Sequence, residues 1–243
     1  MQLSAGIKNV IRAARIKYLH YRLRNSTPLH VQGRIVIVAP HPDDEVLGCS
    51  GLIVRLVKNG IPPHIIIMTG GGASHMGCCD LPDRIIIEER RKLTLNALTI
   101  LGVPREQIHF LNFPDGGIDS NDSETMNLRS LLDELKPNHV FVPHRGEGWK
   151  DHIRTARIVE SMIPKSVDLW EYCVWVWYYN NWRFDWSDAR QLEMTDDEHL
   201  LKLKAIDAYI QPTAPCGNPW SGVLPGIFVR ANKKKREFYF RAK

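Results

Sequence analysis

The run Ala39-Pro40-His41-Pro42-Asp43-Asp44-Glu45 places an imidazole and three carboxylates directly after the apolar residues 35–38. Carboxylates crowded at the end of a buried strand repel one another unless a cation sits among them. One acid would suffice to cap the helix that opens near Val46, so three with a histidine exceed what capping asks. A second stretch follows the apolar residues 139–142: Pro143-His144-Arg145-Gly146-Glu147-Gly148-Trp149-Lys150-Asp151-His152. If the two strands are neighbours in a parallel sheet, their carboxyl ends open on one crevice, the usual ligand position in open α/β sheets. Two imidazoles and one carboxylate, with a position left for water, match a catalytic zinc site beside which a further carboxylate can act as base. The same donor set suits iron(II).

The elements that must carry these residues follow from the apolar pattern. Strands are expected at 35–38, 64–68, 109–111, 139–142 and 172–178, and helices at 48–59, 83–101, 127–135, 153–162 and 196–209. Apolar runs without period-two alternation predict a parallel sheet covered on both faces. Alternating β and α units make the fold class α/β: a Rossmann-like, doubly wound, mostly parallel sheet with helices on both faces. Extra C-terminal strands are expected at 226–231 and 237–241. Between them and the last helix, Pro212, Pro215, Gly217, Pro219, Gly222 and Pro225 announce a long ordered loop, a usual place for substrate contacts.

A chain of 243 residues that is 44% hydrophobic supports one sizeable core. The expected organisation is a basic amphipathic helix within residues 1–28 and a single domain over 29–243. Residues 1–24 carry Lys8, Arg12, Arg15, Lys17, Arg22 and Arg24 and no acid. The ordinary reading is a surface helix packed on the domain; the sharper one is an interfacial helix in peripheral contact with anionic membrane. No apolar run is long enough to span a bilayer, and no signal-peptide pattern is present. Five irregularly spaced cysteines suggest neither a disulfide framework nor a zinc ribbon, so Cys78 and Cys79 read as structural or surface thiols. The expected location is cytoplasmic, at most peripheral to the inner face of the membrane. The formal charge of +5 sits at the two ends, leaving an acidic middle without an aromatic-interleaved basic motif, which argues against a nucleic-acid partner.

The run Ala-x-His-Pro-Asp-Asp-Glu, a glycine-rich helix start and the later Asp151-His152 resemble the LmbE/PIG-L family of zinc-dependent N-acetylglucosaminyl de-N-acetylases, over roughly residues 34–211. The resemblance implies zinc ligands His41, Asp44 and His152, with Asp43 as general base and Glu45 organising the loop. It also implies substrate contacts from Arg90 and from Asp115 in Pro114-Asp115-Gly116. The implied reaction removes an N-acetyl group from a small amino-sugar substrate, or from a sugar-lipid or nucleotide conjugate, and releases acetate. The sequence departs from the family at two places. The family's second cluster reads His-Pro-Asp-His, whereas Trp149 stands here at the first histidine, and Tyr209 replaces a histidine of the family's tail. Tryptophan cannot protonate an amine leaving group. Either His144 reaches in as the acid, or Asp43 returns its proton to nitrogen. Two rivals use the same residues: a metal-dependent phosphoesterase, which would need two metals about 4 Å apart, and a non-catalytic sugar-binding protein on the same fold.

Overall fold

Apolar runs with no polar side build the centre of the molecule. In a computed structural model, which describes residues 4–77, 80–179 and 184–242, the seven strands are β1 (Ile35–Ala39), β2 (His64–Thr69), β3 (Ile108–Phe113), β4 (His139–Pro143), β5 (Asp168–Tyr172), β6 (Arg190–Glu193) and β7 (Arg236–Arg241). They form one sheet in the order β3-β2-β1-β4-β5-β7-β6. The first five are parallel, and β7 runs antiparallel to both β5 and β6. Along β1 the side chains alternate between faces, yet every one is buried. Ile35 and Ile37 face the helices α2 (Asp44–Lys58), α3 (Asp83–Ile100) and α6 (Asp196–Ile210). Val36 and Val38 face α4 (Glu124–Leu135) and α5 (Lys150–Met162). Helices on both faces remove the need for a polar side, and so the sequence shows no alternation.

Two expectations are corrected. The segment 172–178 is not a strand: β5 ends at Tyr172, and Trp175–Trp177 forms a single 3₁₀ turn. The strand begins earlier, at Asp168, and its buried Glu171 is paired with Arg145, whose Nε lies 2.5 Å from Glu171 Oε1. The segment 226–231 is a helix, α7 (Gly226–Asn232), in which Ile227, Phe228, Ala231 and Asn232 are buried. Those positions recur at i and i+4, a helical period that the β-favouring Ile-Phe-Val composition concealed. The short strand β6 was not foreseen.

The helix α1 (Ala5–Arg22) lies against the domain. Ile16, Leu19 and Leu23 enter an aromatic cluster with Trp177, Phe184, Trp186, Phe238 and Phe240, joined by Ile227 and Ala231 of α7. Beyond α1, the chain is stitched to the sheet edge by Gln191 N donating to Thr27 O (2.9 Å) and Leu29 N to Gln191 O (2.8 Å). No helix among the described residues is long and apolar enough to cross a membrane. Cys49 and Cys173 are buried free thiols. Cys78 and Cys79 lie outside the described residues.

Candidate metal centre

The sheet winds outward from β1 in two directions, to β2 and β3 on one side and to β4 and β5 on the other. The loops leaving β1 and β4 therefore part company, and the gap above their carboxyl ends is the crevice where such sheets bind ligands. Residues 40–43 leave β1 and run straight into α2. Gly48 lets that helix close on the sheet, since a Cβ there would lie 2.5 Å from the Tyr172 ring. The loop after β4 ends at Trp149, the N-cap of α5, which puts Asp151 and His152 in that helix's first turn.

The two loops bring His41, Asp44 and His152 together, with one donor atom from each within 4.8 Å of the others. Asp44 Oδ2 lies 3.1 Å from His41 Nδ1 and 3.2 Å from His152 Nε2. In a tetrahedral zinc site with bonds of about 2.0–2.1 Å, neighbouring ligand atoms stand about 3.3 Å apart. These separations match. The decisive atom is His152 Nε2, buried and without a hydrogen-bond partner, its approach to Asp44 being out of line for one. The opposite nitrogen, Nδ1, lies 2.8 Å from Glu147 Oε2, which fixes the tautomer and leaves the Nε2 lone pair aimed into the cluster. Glu147 is itself pinned, Oε1 accepting from the backbone N–H groups of Val174 and Val176. His41 is braced in the same way: its Nε2 lies 3.2 Å from Asp151 Oδ2 and 3.3 Å from Asp115 Oδ1. Those two carboxylates are held by Gly116 N (2.8 Å) and Ala73 N (2.9 Å). The donor set and its orphaned nitrogen fit a zinc ion.

Electrostatics separates the two aspartates. Burial opposes charge on Asp44, but His152 and His41 outweigh it and hold the carboxyl well below the usual range. Asp43 moves the other way. Burial and then the neighbouring Asp44 push it up to about 7, with Arg90 pulling back. Burial and Asp43 similarly raise Glu45 to about 8, and its Oε2 accepts from Asp43 N at 3.1 Å. Asp43 also carries a positive φ of 122° at the N-cap of α2. A carboxyl poised near neutrality beside a metal-type donor set has the properties of a general base.

The family model described as PIG-L, GlcNAc-PI de-N-acetylase, matches residues 36–163, more than half of the chain. The chain belongs to the PIG-L family. It is 29% identical over 160 residues to the 1D-myo-inositol 2-acetamido-2-deoxy-alpha-D-glucopyranoside deacetylase of Mycolicibacterium vanbaalenii, covering 55% of each chain. The chain spans less than two thirds of the curated relatives it matches, 62% of one and 55% of another. Its fold is that of the N,N'-diacetylchitobiose deacetylase from Pyrococcus horikoshii, with TM-score 0.59, 20% identity, and 86% of this chain and 79% of that one covered. The zinc-inhibited form of teicoplanin deacetylase Orf2 superposes with TM-score 0.61 at 15% identity, over 86% of this chain and 99% of that one.

Within this PIG-L chain, the residues singled out from sequence fall in different places. His41, Asp43, Asp44 and Asp115 line a crevice of about 260 Å³, together with Arg90, Trp149 and Trp175. His152 is fully buried and does not line the crevice itself, but its Nε2 lies 3.2 Å from Asp44, which does. Arg90 is 4% exposed and largely committed to the protein. It donates to Tyr209 Oη (3.0 Å), Gly71 O (3.0 Å), Pro42 O (2.6 Å) and Asp43 Oδ2 (3.4 Å). It clamps the loop that carries Asp43, and Gly71, at φ +69°, is needed because a Cβ there would lie 2.2 Å from the guanidinium. His144 is not brought to the crevice. It lines a separate cavity of about 270 Å³ with Arg145 and Glu171. Its Nδ1 accepts from Gly146 N (2.8 Å), its Nε2 lies 3.2 Å from Glu171 Oε2, and its ring packs on Phe184 and Phe240. Glu147 and Asp151 were assigned no role from sequence. Their signal was an acidic residue five before, and one adjacent to, the expected ligand His152, which is where carboxylates that orient metal-bound imidazoles can reside.

Proposed function

We propose that the protein removes an N-acetyl group from an amino sugar carried in a glycan, glycolipid or nucleotide conjugate, releasing acetate and a free amine. The single observation that supports this most is the orphaned, buried Nε2 of His152 facing Asp44 and His41 while Glu147 fixes its other nitrogen. His41, Asp44 and His152 would hold zinc, which when bound supplies Lewis acidity toward water and an amide carbonyl. Asp43 takes a proton from the attacking water. It then returns that proton to the amide nitrogen as the C–N bond breaks, so water's hydroxyl ends on acetate and its proton on the amine. Assigning both transfers to Asp43 is supported by its raised pKa of about 7, and by His144 lining a different cavity from the crevice. Arg90 holds the loop of Asp43 in register from behind. Asp115, on the crevice wall, is available to a sugar hydroxyl while it orients His41. The stacked pair Trp149 and Trp175, with centroids 5.2 Å apart and planes at 8°, gives the opposite wall an aromatic surface.

A two-metal phosphoesterase draws on one further observation, a second possible ligand group of His41, Asp115 and Asp151. Both groups share His41, and Asp115 and Asp151 already accept backbone N–H bonds, so they read better as supports for one metal than as ligands of another. Metal content and acetate release on an amino-sugar panel test the assignment together. One equivalent of divalent metal and released acetate are expected. Two equivalents with phosphate-ester cleavage would replace the deacetylase with the phosphoesterase, and bound metal with no acetate from any substrate would leave a sugar-binding protein.

A further inference from the structure

The helix α1 has two apolar sides. Its inner side, Ile16, Leu19 and Leu23, is buried in the aromatic cluster. On the opposite side, Ile7, Val10, Ala14, Tyr18 and Tyr21 recur at i, i+3, i+7, i+11 and i+14 and so share one exposed stripe. Ile7 is 49%, Val10 69%, Tyr18 57% and Tyr21 65% exposed, four of the ten large hydrophobic side chains exposed among the described residues. A helix that needed only to cover the domain would carry polar residues there. Lys17 borders the stripe on one side and Arg22 and Lys8 on the other, all exposed, while Arg24 lies just beyond the helix with its guanidinium 4.0 Å above the Tyr21 ring. No Asp or Glu occurs before Asp43.

We propose that this outer stripe of α1 is a docking surface for an anionic lipid bilayer: Val10, Ile7 and the two tyrosines enter the interfacial layer and the flanking lysines and arginines meet lipid phosphates. Apolar and tyrosine side chains between cationic flanks are the composition of helices that lie in the interface. A second copy of the chain is disfavoured as the occupant, because pairing two such faces sets Lys8, Lys17 and Arg22 against like charges with no acid on either helix. A nucleic acid would match the charge but not the apolar centre of the stripe. The remaining two basic residues of the helix are spent inward. Arg12 Nε donates to Tyr178 O (2.7 Å), and Arg15 Nη1 to Val176 O (3.1 Å) and Tyr179 O (3.3 Å). These bonds fasten α1 to the 3₁₀ turn that contains Trp175, a wall of the catalytic crevice. Docking through the outer stripe would hold that crevice at a fixed attitude to the bilayer.

Co-sedimentation of the full chain with phosphatidylcholine vesicles, with and without phosphatidylglycerol, tests the proposal independently of enzymatic turnover. Binding is expected only with phosphatidylglycerol, reversed by high salt. The bound fraction should fall about tenfold in Val10→Asp/Tyr18→Asp and in Lys8→Gln/Lys17→Gln/Arg22→Gln. All these side chains are exposed, and circular dichroism and thermal unfolding check that the fold persists. Should the aspartate pair unfold the helix, Val10→Ser/Tyr18→Ser makes the same test. Wild-type protein left in the supernatant with anionic vesicles, or equal recovery of wild type and both variants, would overturn the proposal. So would a dimer in sedimentation velocity that Val10→Asp/Tyr18→Asp abolishes without any vesicle binding, since the stripe would then belong to a second copy.

Discussion

Two cavities open beside the carboxyl end of β4, each with a histidine and buried carboxylates, and they differ in what their polar atoms lack. Around His144 every ring nitrogen is occupied: Gly146 N donates to one, Glu171 sits against the other, and Arg145 pairs with Glu171 and with Glu160. Around His152 the polar groups are just as buried, but one nitrogen is left without a partner and several carboxylates face the same point. A histidine surrounded by acids is common; one whose second-nitrogen partner turns its other nitrogen toward a carboxylate and a second imidazole has the arrangement expected of a metal ligand. The protonation states follow. Burial, and then the positive charge of Arg145, push His144 down to about 4, although Glu171 lies beside its Nε2. Burial opposes charge on His152 too, yet Asp44 and Glu147 carry it up to about 9. The first histidine stays neutral, whereas the second attracts a positive charge to Nε2, a place that a bound metal would take from the proton.

The largest expected effect separates base from ligand inside the crevice. Asp43→Ala should keep metal and lose about 10²- to 10⁴-fold in turnover, whereas His152→Ala should lose the metal itself. Metal analysis beside single-substrate kinetics reads both, and full activity in Asp43→Ala would remove the proposed mechanism. Next comes the support of His152. Glu147→Gln replaces an acceptor-only carboxylate, which serves one imidazole and two backbone N–H groups, with an amide whose NH₂ must face a donor. Metal affinity should fall about 10- to 100-fold, measured by competition with a chromogenic chelator. Unchanged affinity would make Glu147 a purely structural anchor of residues 174–176.

Smaller effects sharpen the contrast. Tyr209→Phe removes the acceptor for the buried Nε of Arg90, at a cost of about 1–3 kcal/mol. Thermal unfolding should show the loss, and kcat should fall with it because the loop of Asp43 loosens. His144→Gln keeps an acceptor for Gly146 and should leave activity within about twofold, whereas a large loss would restore His144 as an acid. That variant should alter acid stability instead. The folded imidazole is neutral down to about pH 4, while an unfolded one takes up a proton below 6.5. Unfolding therefore binds protons in this window, and stability falls as pH drops from 6.5 toward 4, by at most about 3 kcal/mol for this group. Urea titrations at the two ends of the window should show less acid sensitivity in His144→Gln than in wild type.

The contrast also marks what the amino-acid sequence could reveal. The first cluster was legible because its acids and histidine are contiguous and follow a strand that nothing else would end so. The sheet's parallel half was legible for a similar reason: residues buried on both faces leave unbroken apolar runs. His144 and His152 lie eight residues apart and both follow β4, so spacing alone could not say which reaches the crevice. The answer depends on a 3₁₀ turn at Arg145–Glu147 that carries the chain from one cavity to the other. Glu147 was invisible for the same reason, since its partners at Val174 and Val176 come from beyond β5. The misread elements, 172–178 and 226–231, are β-branched and aromatic stretches whose tertiary neighbours overrule local preference.

One backbone angle sets chemistry and stability at odds. Asp43 holds a φ of 122°, a conformation that glycine alone adopts without cost. Its carboxyl is buried next to two other acids. A glycine at this position would relax the loop and remove a crowded charge, so selection for a sturdier fold alone would discard the side chain. An aspartate held in such a posture costs the fold stability, and the proton transfer proposed for Asp43 would account for that cost.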